Sequence, residues 1–334
     1  MYIVNMNRRI PERDAHPIPD ALNLGIVAAQ MAGLAACFLL AFRIHGSWSL
    51  AALAVGFAIL MNSVYSSLHE AEHGILFSDS RANTLTGVAL ALFFPAPFHL
   101  LQQGHLGHHL RNRSDDEAFD LCFEEEHPVW KRIQFYGILT GVYWLIVVLA
   151  SPVVLIRPSL LKRRHFRFDR PAGAFMDALN PEALPWIRLE AGLILLFHGW
   201  LLWGLGMPLL PYLTLYAAFG FSWSAMQYVH HYGTERHVTR GARNLWILPP
   251  IDAAWLHHNW HRVHHEHPTI PWCYLPELGK ASGESRGFLP FAYLRMWTWP
   301  RPASERVQNH YAGQVVRLPS LSRHETGSVR EEPA

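Results

Sequence analysis

Six apolar segments, at about 21–42, 47–67, 84–100, 134–156, 188–205 and 209–227, constrain this chain more than any other feature. A bilayer core about 30 Å thick is crossed by about 20 apolar residues in a helix. A backbone in lipid must satisfy its own hydrogen bonds, and a broken segment is tolerated only where it is buried in protein. Charged residues make up 16% of the chain, against about 25% in soluble domains. Its 13 Trp and 11 Tyr are side chains that favour membrane interfaces. These observations predict an all-α integral membrane fold with several passes. The polar opening, 1–20, reads as a cytoplasmic N-terminal segment, 21–300 as the membrane domain and 301–334 as a loosely ordered tail. The first apolar run is longer than a signal-peptide core, so it reads as a span.

The polar stretches between these segments hold clustered histidines. His69 and His73 form HEAEH, His105, His108 and His109 form HLGHH, and His261, His264 and His265 form HRVHH. His230 and His231 stand in QYVHHY, three and four residues past the last apolar segment. A single i, i+4 pair is weak evidence, since two ordinary surface histidines also fall on one helix face at that spacing. Three clusters, each at the edge of an apolar segment, point to metal. Imidazole suits iron and zinc, and eight ligands exceed the four of one tetrahedral zinc. HEAEH has a passing likeness to the zinc-protease HExxH, but the other two clusters make a lone zinc protease a poor fit. Cys37, Cys122 and Cys273 are isolated and suggest neither a disulfide framework nor a thiolate site. A net charge of +2 with no basic stripe argues against nucleic acid.

Histidines sharing a metal must lie on one side of the membrane, and this fixes a topology. Segments 21–42 and 47–67 read as a hairpin returning to the starting side at His69, and 188–205 with 209–227 as a second hairpin ending at His231. Segment 84–100 is short and carries Pro95 and Pro97, so it reads as re-entrant or interfacial. Segment 134–156 is followed by Arg157, Lys162, Arg163, Arg164, Arg167 and Arg170, charges that favour the cytoplasmic side. It is expected to dip and return around Pro152. The prediction is four transmembrane helices in two hairpins, two partly inserted segments and a cytoplasmic histidine-rich cap. The spans show no convincing buried charge pair, which argues against a transporter.

The three boxes, in this order around two hairpins, resemble those of the membrane fatty acid desaturase and hydroxylase superfamily, over roughly residues 20 to 275. The resemblance implies nine ligands: His69, His73, His105, His108, His109, His231, His261, His264 and His265, with His230 as a substitute for His231. It departs at Gln227, where members have Asn, and at His257, four residues before the last box, where several have Asn. His257 therefore reads as a ligand, a holder of metal-bound water or a support. Glu70, Glu72 and Glu266 are candidates to receive the ligands' outer N–H groups, while His237, His258 and His267 read as spare interfacial histidines. The resemblance further implies two iron ions, O2 and desaturation of a fatty acyl lipid, with hydroxylation or ketolation of a lipid or other hydrophobe as the rival. With no GxGxxG and no CxxC in the chain, electrons are expected from a ferredoxin-, rubredoxin- or cytochrome b5-like donor with its reductase. The expected location is the cell inner membrane, if the source is bacterial, with the active site on the cytoplasmic side.

Overall fold

The computed structural model describes residues 15–166, 168–298 and 300–319. Most of the N-terminal segment (1–14), Arg167 of the basic loop and the end of the tail (320–334) lie outside the described residues. The fold is the all-α membrane architecture expected. Helices α1 (Asp20–Ala41) and α2 (Ser47–Glu72) form the first hairpin. At 26 residues, α2 runs about 39 Å, longer than a bilayer core of about 30 Å, and His69 lies in its last turn. Gln30 joins the two helices, its amide donating to Ser63 Oγ at 2.9 Å, and the Asn23 amide ties α1 to the loop after α2 by donating to the Leu76 carbonyl at 2.7 Å.

Helices α3 (Ser80–Phe93) and α4 (Phe98–Arg111) form one bent unit, folded by 101° across Phe94–Pro97. Asp79 caps α3, accepting from the Ala82 amide at 2.7 Å, and α4 carries HLGHH. Helices α5 (Pro128–Leu139) and α6 (Val142–Ile156) form a second bent unit, folded by 89°. The break falls at Gly141, not at the expected Pro152, which lies within α6. Gly141 has φ 95°, and a Cβ there would meet the Phe221 backbone at 3.1 Å, so only glycine suits the turn.

After the short α7 (Arg170–Ala178), α8 (Leu184–Gly199) continues as one π turn through Gly204 and pairs with α9 (Leu209–Met226) as the second hairpin. α9 packs along α2. Three helices are long and apolar enough to cross a membrane, Asp20–Ala41, Ser47–Glu72 and Pro181–Gly204, or up to five if each bent pair is one span. The expected number, four, lies within that range, but α9, expected as the second arm of the second hairpin, is not one of the three.

Two findings correct the sequence reading. Within the helical bundle, Glu190 of α8 bonds the ring of His99 and accepts its backbone N–H at 3.0 Å, a buried pair that pins the first turn of α4. The described part of the tail is also not loose. Strand β4 (Arg301–Ala303) pairs in parallel with β1 (Leu121–Phe123), Val307 and Asp115 bond in both directions, and Val316 and Leu318 are buried. The remaining cap comprises β2 (Asn244–Trp246) paired with β3 (Arg286–Phe288), α10 (Pro249–Ala254), α11 (His261–Glu266), α12 (Leu275–Ala281) and α13 (Leu289–Arg295).

Candidate metal centre

The ends of α2 and α4, the turn after α9 and helix α11 bring nine imidazoles together above the bundle. They divide into two groups that could each hold a metal ion. His69, His73, His105, His109 and His264 form the first, and His108, His231, His261 and His265 the second, with the ligand atoms of each group within 4.8 Å of one another. Helix geometry explains the division. Residues four apart share a face, so His69 with His73, His105 with His109 and His261 with His265 stay together, while His108 and His264 cross to the other group.

In the first group, His73 and His105 Nε2 atoms are 2.7 Å apart, His105 and His109 3.1 Å, and His109 and His264 3.1 Å. In the second, His231 and His261 Nε2 atoms are 3.0 Å apart, and His108 and His265 3.3 Å. Two nitrogens bound to one ion at ~2.1 Å stand ~3.0 Å apart at a right angle, so this spacing fits a shared ligand sphere. Hydrogen bonding does not account for it. A neutral imidazole has one N–H, and His69 Nε2 is buried with no hydrogen-bond partner. Such groups are costly unless a ligand compensates them. Burial first, then repulsion from neighbouring imidazoles, holds His231, His261, His264 and His265 well below the usual histidine range. They are neutral at pH 7, as metal ligands must be.

Outer contacts orient two ligands. His231 Nδ1 donates to the Gly241 carbonyl at 2.8 Å, and His108 Nδ1 lies 3.1 Å from Glu117 Oε2. The other candidates fall elsewhere. His230 stands outside both groups, its ring 4.5 Å from that of His261. His257 is also outside. Its Nδ1 bonds Asp252 at 3.0 Å, and its backbone, like that of Leu256, is left-handed (φ 52° and 47°). The Gln227 amide donates to the Trp223 carbonyl at 3.1 Å. Glu70 accepts the Trp272 N–H at 3.0 Å and stays 3.8 Å from His69 Nδ1. Glu266 pairs with Arg262 at 3.2 Å.

Sequence reasoning missed two neighbours. His258, read as a spare, is buried with its ring 4.8 Å from that of His69 and 5.1 Å from that of His261. It lines a small cavity with Ser66, Glu70, Leu256, Leu275 and the ligand candidates His69 and His264. Glu117 lies nine residues past His108, where no helical period signals it. Beneath the cap, Tyr65, Phe94 and Trp223 form an aromatic wall, with Tyr65 and Trp223 ring centroids 5.4 Å apart and those of Trp223 and Phe94 4.9 Å apart.

A helical membrane bundle capped by clustered neutral histidines defines a membrane oxidoreductase of the desaturase and hydroxylase type, and comparison with known proteins agrees. The family model for fatty acid desaturase matches residues 46–300, most of the chain and all three boxes. The chain belongs to this family. It is also similar to a beta-carotene ketolase of Paracoccus sp. (strain N81106 / MBIC 01143), 26% identical over 275 residues that cover 78% of this chain and 96% of that protein.

Proposed function

We propose that this protein is an O2-dependent di-iron desaturase acting on a fatty acyl lipid. The observation that carries the reading is the division of the nine histidines into two adjoining groups at the membrane edge. His69, His73, His105, His109 and His264 would hold one iron, and His108, His231, His261 and His265 the other. Iron held there supplies dioxygen activation and the oxidising strength to attack an unactivated C–H bond. The reaction takes two hydrogens from adjacent methylenes, and O2 with two electrons and two protons leaves as two waters.

The chain's own residues position the substrate and exclude water. Exposed leucines and tryptophans on α1, α8 and α9 mark the lipid-facing surface. The aromatic residues Tyr65, Phe94 and Trp223 pack beneath His69, with the Tyr65 ring centroid 6.5 Å from that of His69, and give the membrane side of the site an apolar lining. Gly241 and Glu117 hold His231 and His108 with Nε2 inward. Electrons come from a ferredoxin-, rubredoxin- or cytochrome b5-like donor, since the chain has no nucleotide fingerprint. Arg8, Arg9 and the basic loop from Arg157 to Arg170 support a cytoplasmic cap at a cell inner membrane.

A second reading, ketolation of a carotenoid-like hydrophobe, is favoured by the likeness to the beta-carotene ketolase across nearly all of that protein. There one methylene becomes a carbonyl, consuming two O2, four electrons and four protons and releasing three waters.

Mass spectrometry of lipids and carotenoids from cells expressing the native chain or His264→Ala separates these readings. An acyl lipid lacking two hydrogens, formed only with the native chain, is expected. A product gaining a carbonyl oxygen would replace desaturation by ketolation, and identical profiles would remove both.

A further inference from the structure

The outer face of His108 sets the second histidine group apart from the first. His108 Nδ1 is 3.1 Å from Glu117 Oε2, and Glu117 Oε1 is 3.3 Å from Arg111 Nη2. The Arg111 guanidinium reaches that carboxylate by folding back over Gly107, where a Cβ would stand 2.5 Å from Nη1 and 3.2 Å from Cζ. Glycine in the middle of HLGHH leaves room for this arrangement: a Cβ there would have to move the end of the Arg111 side chain. The Glu117 backbone is held as well, its N–H donating to the Ser114 carbonyl at 3.0 Å.

The other ligand candidates differ. His231 gives its Nδ1 to a neutral carbonyl. Nδ1 of His73, His261, His264 and His265 has no partner, and His69 Nδ1 lies 3.8 Å from Glu70, beyond hydrogen-bond reach. Among the described residues, His108 is the candidate ligand with a carboxylate at hydrogen-bond distance.

We infer that Glu117 is a positioning residue for the second group, making the two metal sites unequal. It accepts the Nδ1–H of His108, fixes the tautomer that leaves the Nε2 lone pair facing His265, and makes that imidazole a stronger donor than its neighbours. Arg111 orients the carboxylate and balances its charge. A stronger donor holds its ion more tightly and favours the higher oxidation state, so Glu117 lowers the reduction potential of the iron held by the second group. This inference rests on the di-iron reading above.

The test uses the full-length protein in detergent, reconstituted with ferrous iron, and reads chelator competition and a potentiometric titration followed by Mössbauer spectroscopy. Glu117→Ala should weaken one iron by ~10–100-fold and leave the other at its native affinity. Gly107→Ala should do the same by displacing Arg111. Glu117→Gln keeps an acceptor oxygen and removes the charge, so it should keep both irons and move one potential upward. Should the alanine variants fail to fold, that upward shift in Glu117→Gln still decides. If the native protein holds two irons and Glu117→Ala and Glu117→Gln match its chelator profile and potentials, the inference is wrong and the di-iron reading stands. A native protein that takes up no iron would overturn both.

Discussion

The Gly241 carbonyl accepts the Nδ1–H of His231 at 2.8 Å from a backbone position that has room for glycine alone. A Cβ at 241 would stand 2.3 Å from the His237 carbonyl oxygen, 2.4 Å from Arg113 Cγ and 2.9 Å from the Glu235 carbonyl oxygen. The same carbonyl takes the Thr234 hydroxyl at 3.0 Å and the Asn112 amide at 3.3 Å. Gly241→Ala should therefore cost ~1–3 kcal/mol through overpacking and release metal from the second histidine group before the first. Metal analysis and thermal unfolding of the purified variant check this. Native values for both would show that the loop absorbs a methyl group and that His231 does not depend on it.

Asp120 and Arg113 form a buried pair in the same cap, with side-chain exposures of 0% and 1%. Asp120 also accepts from the Tyr228 hydroxyl at 2.7 Å and the Gly233 N–H at 2.8 Å. Asp120→Asn leaves the guanidinium without its counter-charge and should destabilise the protein by ~3–5 kcal/mol.

The same pair sets a pH dependence. Burial alone would raise the Asp120 carboxyl, but Arg113, Tyr228 and Gly233 outweigh it and hold the group below the ordinary 3.8. A carboxyl depressed in the folded state contributes stability above its unfolded value and loses it as pH falls through the folded one. The difference in unfolding temperature between the native protein and Asp120→Asn should thus be constant near neutrality and shrink below about pH 4. A difference that is the same at low and neutral pH would mean that Asp120 contributes shape, not charge.

Much of the site was legible because helix arithmetic is local. The i, i+4 spacing within HEAEH, HLGHH and HRVHH places the paired histidines on one face, and the third member of each triplet steps to the other group. What the sequence concealed depends on contacts made elsewhere in the chain. The turn at Gly141 is decided by the Phe221 backbone, 3.1 Å from where its Cβ would be, whereas Pro152, the stronger signal in sequence, is accommodated within α6. His258 follows two left-handed residues, Leu256 and His257, a backbone path that an apolar period does not reveal. Glu190 is one acid in an apolar run until α4 brings His99 against it.

Metal removal should affect stability and turnover together. An ion that binds only the folded state stabilises it by ~4.1 kcal/mol at a thousandfold excess over Kd. A chelator should therefore lower the unfolding temperature and expose the cap to proteolysis while the spans stay protected. Ferrous iron should restore stability and turnover. Zinc, which suits imidazole but has no redox chemistry, should restore stability alone. An unfolding temperature insensitive to chelation would show that the histidine clusters do not hold metal in the folded protein.

The tail bears on the site through packing. Val316 and Leu318 are 2% and 3% exposed and join a core with Leu100 and Leu106 of α4, the helix that carries HLGHH. The Val316 N–H donates to the Ala178 carbonyl at 2.9 Å, fixing this segment of the tail against the end of α7. Leu318→Ala should cost ~2–5 kcal/mol, the range for a buried leucine that leaves a cavity. Because the cavity opens against α4, the loss should appear at His105, His108 and His109 as faster amide exchange, with little change at His69 on α2. Hydrogen exchange on the native and variant proteins measures both. Uniform acceleration across α2 and α4 would show that the tail stabilises the bundle as a whole and has no particular hold on the helix of the second box.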